Sequence, residues 1–250
     1  HRELGLRVPP VTPVAATPAQ RGTPSVLDLP GATADLRERL GAGLAAVNAL
    51  IEERVDHDDP FIAEAGAHLT AAGGKRFRPL LTLLAAELTH GINEQVVAAA
   101  AGVELTHLAS LYHDDVMDEA DVRRGAPSAN AAYGNSTAIL VGDLLFGTAS
   151  DIVADLGPDA VKIQAQTFIR LCSGQIRDDR PCPAGTDPVE YYLGVLADKT
   201  GVLIATAARY GAMFSGGDEQ TTETMRGVGE RPRPAAHAPA STATASSKAA

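Results

Sequence analysis

Residues 102–124 read GVELTHLASLYHDDVMDEADVRR, with five acids between Asp114 and Asp121 and two arginines closing an otherwise apolar run. On a helix turning 100° per residue, Asp114 falls at about −20° from His107, Asp118 at about +20°, Asp121 at about −40° and Asp115 at about +80°. One stripe therefore carries an imidazole and three carboxylates, with Arg123 and Arg124 at its end. Val103, Leu108, Leu111, Tyr112 and Met117 make the other faces apolar, which argues for a partly buried helix over a solvated acidic face. Clustered carboxylates in such a setting need a neutraliser. Asp114 and Asp118, one turn apart, suit Mg²⁺, which takes one or two carboxylates and fills its octahedron with water and phosphate oxygens. Arginine meets phosphate with two parallel hydrogen bonds, so the metal and both arginines together point to a ligand with several phosphate oxygens.

A second basic cluster precedes this helix. Residues 72–88, AGGKRFRPLLTLLAAEL, supply Lys75, Arg76 and Arg78 where a loop becomes a helix, with Pro79 placed to be its first residue. A helix N-terminus beside basic side chains is an anion site. It is not a nucleotide-binding phosphate loop, because Arg76 stands where Ser or Thr is required and a helix comes before it. Two anion sites, one needing metal, imply two phosphorylated substrates.

Outward from these motifs the pattern is helical. Apolar residues recur three and four apart, predicting helices over roughly 33–56, 60–72, 79–90, 93–122, 135–156, 158–178 and 187–215, with no strand alternation. The expectation is an all-α bundle around a central cavity. Six prolines within residues 1–30 predict a flexible leader, residues 31–226 form the helical domain, and residues 227–250 read as a low-complexity, disordered tail. The net charge of −10 argues against a nucleic-acid partner. Cys172 and Cys182 have neither zinc spacing nor a pairing framework, so two free thiols in a reducing cytoplasm are expected. No run of 18 apolar residues predicts an integral membrane segment, and no secretory leader is recognisable.

The phrases GGKRFRP (73–79), ELTHLASLYHDDVMDEADVRRG (104–125), GDLLFGTAS (142–150) and DKTGVLIATAA (198–208) resemble the trans-polyprenyl diphosphate synthases, over about residues 34–226. The resemblance implies an isoprenoid-synthase-like helical bundle, generally homodimeric, that joins isopentenyl diphosphate to an allylic diphosphate such as farnesyl or geranylgeranyl diphosphate, using Mg²⁺. It implies that Lys75, Arg78, His107 and Arg124 bind isopentenyl diphosphate. Asp114 and Asp118 would ligate Mg²⁺ on the allylic diphosphate, supported by Asp115, and Arg123, Lys199 and Thr200 would contact that diphosphate. Gln175 and Asp143 match family positions of less defined role. The family's growing chain runs beside the residues preceding the first aspartate, so the small Ala109 and Ser110 favour a product longer than farnesyl, with Tyr112 a further candidate wall.

The family's second aspartate-rich motif is not found in the sequence. Asp178 and Asp179 in IRDDRPCP read as a solvated helix end, and Asp56, Asp58 and Asp59 as a turn at Pro60. The loss of large apolar side chains after Val228 predicts a truncation or a shift of reading frame. Three readings stay open: a synthase whose chain is incomplete and impaired, a non-catalytic partner subunit of a heteromeric synthase, and an enzyme working with the first metal cluster alone. A terpene cyclase has no need of GGKRFRP or RRG.

Overall fold

Short polar residues start the helices of this chain. In the computed structural model, which describes residues 29–230, Thr33, Asp59, Asn93, Ser128 and Asp187 each accept a hydrogen bond from a first-turn amide, two of them just before Pro60 and Pro188. The helices that follow are α1 (Ala34–Val55), α2 (Pro60–Ala71), α3 (Phe77–Glu87), α4 (Glu94–Met117), α5 (Ala129–Tyr133), α6 (Asn135–Ala154), α7 (Pro158–Asp178), α8 (Pro188–Leu196), α9 (Val202–Phe214) and α10 (Glu219–Glu230). Between α4 and α5 lies a small hairpin of β1 (Val122–Arg123) and β2 (Ala126–Pro127).

α4 is apolar around most of its circumference and accordingly lies at the centre. One core joins it to α1, α2 and α6 through Val47, Ile51, Leu69, Leu105, Leu108, Tyr112 and Leu145. The other joins it to α1, α3, α7 and α9 through Leu40, Leu83, Val96, Val103, Ile163, Leu203 and Tyr210. Tyr112 ties α4 to α2: its hydroxyl donates to the Ala65 carbonyl at 2.6 Å and accepts from the Leu69 amide at 3.3 Å. By length and composition α6 could cross a membrane. Here its Ala138, Val141, Leu145, Ala149 and Ile152 are buried in the core it shares with α4, and Asp143 and Asp151 interrupt its apolar run.

The all-α architecture is as expected, with differences at particular joints. α4 stops at Met117, not near 122, so Asp121 leaves the acidic stripe. α3 starts at Phe77, which puts Pro79 third in the helix, still in the first turn where a missing amide does no harm. The long helix expected over 187–215 is interrupted by a π-helical turn at Ala197–Gly201. The hairpin and α5 are additions. α10 continues to Glu230, so the first four residues of the expected tail are helical; the remaining tail and nearly all of the expected leader lie outside the described residues.

α3 and α9 cross at Gly211, where a Cβ would stand 2.1 Å from the Thr82 carbonyl oxygen. Gly147 on α6 faces open space. Gly211→Ala is therefore expected to destabilise the fold by about 1–3 kcal/mol. Gly147→Ala should be neutral or stabilising by up to about 1 kcal/mol, both read from urea midpoints.

Candidate active site

The acidic motif straddles the end of α4. Glu119 takes a left-handed conformation, φ 50°, and the amides of Glu119 and Ala120 return to the carbonyls of Val116 and Asp115 at 3.4 and 2.9 Å. This is a Schellman closure with glutamate where glycine is usual. It leaves Asp114 half-buried in the last turn and Asp118 exposed as the C-cap. Burial raises the Asp114 carboxyl above its ordinary range; Lys199 opposes the shift, and Asp118 and Asp115 add to it. Asp115 points the other way. It is fully buried, and one oxygen accepts from Arg123 Nε at 2.6 Å and also from Nη2, while Oδ2 has no partner. Asp115 and Arg123 are thus a clamp on each other.

Arg123 reaches back because the chain turns sharply after it. Arg124 and Gly125, the two central residues of the hairpin, have φ of 55° and 81°, the pair of positive values that a type I′ turn requires. Arg124 then donates to the Leu69 carbonyl at 3.2 Å and to that of Gly73. Its guanidinium lies where a Cβ on Gly74 would sit, 2.7 Å away.

The basic loop forms the facing wall. Arg76, itself left-handed at φ 46°, bonds the buried Glu104 at 2.9 Å, Asn48 at 3.1 Å and the Thr70 carbonyl at 3.3 Å. Burial lowers the pKa values of Arg78 and Arg124, Glu104 opposes both shifts, and the buried Nε of Arg78 has no partner. Three guanidiniums thus share one carboxylate, which leaves the wall short of negative charge. Burial, followed by the fields of Arg78, Arg124, Arg123 and Arg76, drives His107 down to about 3. At neutral pH it is an uncharged imidazole, able to donate from one nitrogen. Lys75 is exposed on the same loop.

Lys199 enters from the π turn. Gly174 permits this: a Cβ there would stand 2.5 Å from the Lys199 amide nitrogen. Lys199 Nζ donates to Asp178 at 2.6 Å, and Thr200 beside it is exposed. Burial lowers the Lys199 pKa, but Asp178, Asp114 and Asp118 outweigh it and hold the ammonium above its ordinary value. Lys199, Asp114, Gln175 and Asp179 share a cavity of about 450 Å³ whose remaining lining is mostly apolar, including Val116, Met117, Ile139, Phe146, Phe168 and Ile176. Gln175 donates to Asp179 at 3.3 Å. Asp143 lies 3.3 Å from His113 on α4. The reading of Asp178 and Asp179 as a plain solvated helix end is corrected: one holds Lys199 and the other lines the cavity. Glu104 was also passed over, although a lone acid inside AAAAGVELTHL marks a buried partner for a cation. Among the described residues no three imidazoles, thiols or carboxylates form a closed metal cage. Asp114 and Asp118 offer two carboxylates on one helix end, the number with which Mg²⁺ binds phosphate ligands.

Removing one partner of the buried Arg76–Glu104 pair strands a charge. Glu104→Ala is expected to lower unfolding free energy by about 3–5 kcal/mol, and the double variant Arg76→Met/Glu104→Leu to recover most of it. For His107 the folded pKa is depressed, so the unfolded chain binds the extra proton first. Its stabilising contribution is complete above pH 6.5 and falls away as pH drops toward 3. The stability difference between the wild type and His107→Gln should therefore shrink between about pH 6 and pH 4 in urea titrations.

Comparison with known proteins places this geometry. The family model described as Polyprenyl synthetase matches residues 59–231. A nonaprenyl diphosphate synthase of Mycobacterium tuberculosis is 49% identical over 189 residues, covering 75% of this chain and 56% of that protein. A heptaprenyl diphosphate synthase component 2 of Geobacillus stearothermophilus is 37% identical, covering 74% and 58%. Among solved structures, a geranylgeranyl pyrophosphate synthase of Corynebacterium glutamicum complexed with calcium and isoprenyl diphosphate superimposes with a TM-score of 0.71 at 43% identity, covering 79% of this chain and 61% of that one. This chain thus spans little more than half the length of these curated relatives. With the basic loop, the aspartate-bearing helix end and the lysine-bearing π turn all inside the matched region, the chain belongs to the polyprenyl synthetase family.

Proposed function

We propose that this chain carries the first-aspartate half of a trans-prenyltransferase that condenses isopentenyl diphosphate with an allylic diphosphate, farnesyl or geranylgeranyl. One observation carries the reading. A single buried helix, α4, presents His107 to a wall of arginines and, two turns later, Asp114 to a largely apolar cavity, with Asp118 exposed at the helix end one turn further on.

In this reading Asp114 and Asp118 would hold a Mg²⁺ ion, which would stabilise the negative charge of the departing allylic diphosphate. Burial, with Asp118 and Asp115 adding to it, raises Asp114, and a bound cation would favour its ionised form. Lys199, Thr200, Gln175 and Arg123 border the same group, Arg123 through the Nη1 that it does not use on Asp115. Lys75, Arg78, His107 and Arg124 receive isopentenyl diphosphate. The allylic C–O bond breaks with its electron pair leaving on the diphosphate, and the double bond of isopentenyl diphosphate forms the new C–C bond. A proton then passes to the released diphosphate. The apolar lining keeps water from the allylic cation.

A second reading is a partner subunit of a heteromeric synthase. The relative named as component 2 of a heptaprenyl synthase favours it. As a homodimer, the chain would pair through the exposed apolar face of α6, where Leu140 is 67% and Leu144 40% exposed. We place the protein in the cytoplasm, where its two unpaired thiols persist.

The test incubates purified chain with Mg²⁺, labelled isopentenyl diphosphate and farnesyl or geranylgeranyl diphosphate, alone and with cell extract. Longer prenyl product from the chain alone establishes the enzyme. Product above background only with extract supports the partner subunit, and no Mg²⁺-dependent binding of either diphosphate overturns both readings. Loss of an outer partner at a metal site typically weakens binding about 10–100-fold. Asp114→Asn and Asp118→Asn should each weaken Mg²⁺-dependent binding of an allylic thiodiphosphate at least that much, while Asp121→Asn, off the helix, leaves it within about 2-fold.

A further inference from the structure

The π turn that carries Lys199 is seated on α7, and one stripe of that helix makes the seat. Arg170, Gly174 and Arg177 fall within about 60° of one another at 100° per residue, with the glycine between the two arginines along the axis. Phe168, Leu171, Cys172 and Gln175, which line the cavity shared by Asp114 and Lys199, centre roughly 150° away on the far side of α7. A Cβ on Gly174 would stand 2.5 Å from the Lys199 amide nitrogen, 2.9 Å from the Asp198 carbonyl carbon and 3.0 Å from the Asp198 Cβ. The backbone of the turn therefore rests directly on α7, with Asp198 over the glycine.

Asp198 is pinned there from both sides. Its Oδ1 accepts from Arg170 Nε and Nη2 at 2.9 and 2.8 Å, and its Oδ2 accepts from Arg177 Nη2. The two guanidiniums come from positions two turns apart, so each holds one oxygen and the carboxylate cannot lean toward one without losing the other. Arg170 also donates from Nη1 to Glu230 at 2.8 Å, which joins α10 to the same seat. The Tyr191 hydroxyl donates to the Arg177 carbonyl at 2.9 Å and ties in α8.

Surface ion pairs add little to stability, but this one sits on a backbone that needs holding. A π turn inserts an extra residue into a helix and persists where its surroundings over-determine it. Relaxation to a regular α-helix would rotate one flank against the other by about 100°, the angle of one residue. The turn sends Asp198 to the arginine stripe and its neighbour Lys199 to Asp178, at 2.6 Å. Asp178 stands about 80° round α7 from Arg170, between that stripe and the cavity face.

We propose that Asp198 is the positioning residue for Lys199: clamped by Arg170 and Arg177, it holds the π turn in the register that delivers the ammonium to the cavity. This role rests on the reading of that cavity as the allylic diphosphate site.

The test is a double-mutant cycle on the full chain, read as the Mg²⁺-dependent dissociation constant for farnesyl thiodiphosphate. Lys199→Ala and Asp198→Ala should each weaken binding by about 10-fold or more. In the Lys199→Ala background, Asp198→Ala should cost less than about 2-fold, because the group it positions is already gone. A loss through general destabilisation would carry over undiminished. Urea titration shows whether each variant is folded in the binding buffer. Arg177→Gln, which removes one side of the clamp, replaces Asp198→Ala if that variant is not folded, and should give a smaller loss with the same dependence on Lys199. Equal losses from Asp198→Ala with and without Lys199, or no loss from Asp198→Ala or from Lys199→Ala, overturn the positioning role and leave the diphosphate site standing. Failure of the wild type to bind the analogue overturns the diphosphate reading itself, and the positioning role with it.

Discussion

Everything in this molecule depends on burying carboxylates on a central helix without leaving them unpaired. α4 is the core of the bundle and also its chemistry, two roles that conflict because buried charge is costly. The conflict is resolved by guanidiniums arriving from other parts of the chain. Arg76 reaches Glu104 from the basic loop, and Arg123 reaches Asp115 from the hairpin. Each arginine needs an unusual backbone to do so: Arg76 is left-handed, and Arg123 is carried back by the left-handed Arg124 and Gly125 that follow it. A left-handed non-glycine residue costs about 1–2 kcal/mol, and such strain persists where the surroundings over-determine it.

That pairing divides the aspartates by role. Asp115 is consumed by the fold, whereas Asp114 lines the cavity and Asp118 stands exposed at the end of the same helix. The basic wall shows the opposite imbalance, three arginines to one carboxylate. His107, facing the basic wall, and Asp114, lining the cavity, stand two turns apart on one helix, so the helical rise fixes their separation. This suits a reaction in which two anionic groups must be held apart while their hydrocarbon ends meet.

The fold class and helix starts were legible because period and caps agree: an apolar repeat of three and four, with Asp59, Asn93 and Asp187 ahead of it. The acidic stripe and the basic loop were legible as charge in an apolar context. What escaped has physical reasons. The end of α4 was placed too late because Glu119 occupies a position where glycine would have marked the stop. The hairpin was hidden because Arg-Gly is a weaker turn signal than Asn-Gly. The π turn at Lys199 leaves no trace in a pattern read at 3.6 residues per turn. The roles of Asp178, Asp179, Phe146 and Phe168 depend on which helices neighbour one another, and periodicity within one helix does not contain that. Of the two small residues read as leaving room for a longer chain, Ser110 lines the cavity and Ala109 is buried in the core, because α4 is buried on nearly every side and a small residue there serves packing as readily as a cavity.

Neighbouring carboxylates on one helix end thus do different jobs. The most direct measurement is the carboxyl ¹³C NMR of Asp114, Asp115 and Asp118 as Mg²⁺ and inorganic diphosphate are added. Asp114 and Asp118 should shift together and saturably, while Asp115 keeps the signal of a carboxylate paired with arginine. A metal-dependent shift confined to Asp115, or none at Asp114, would contradict it.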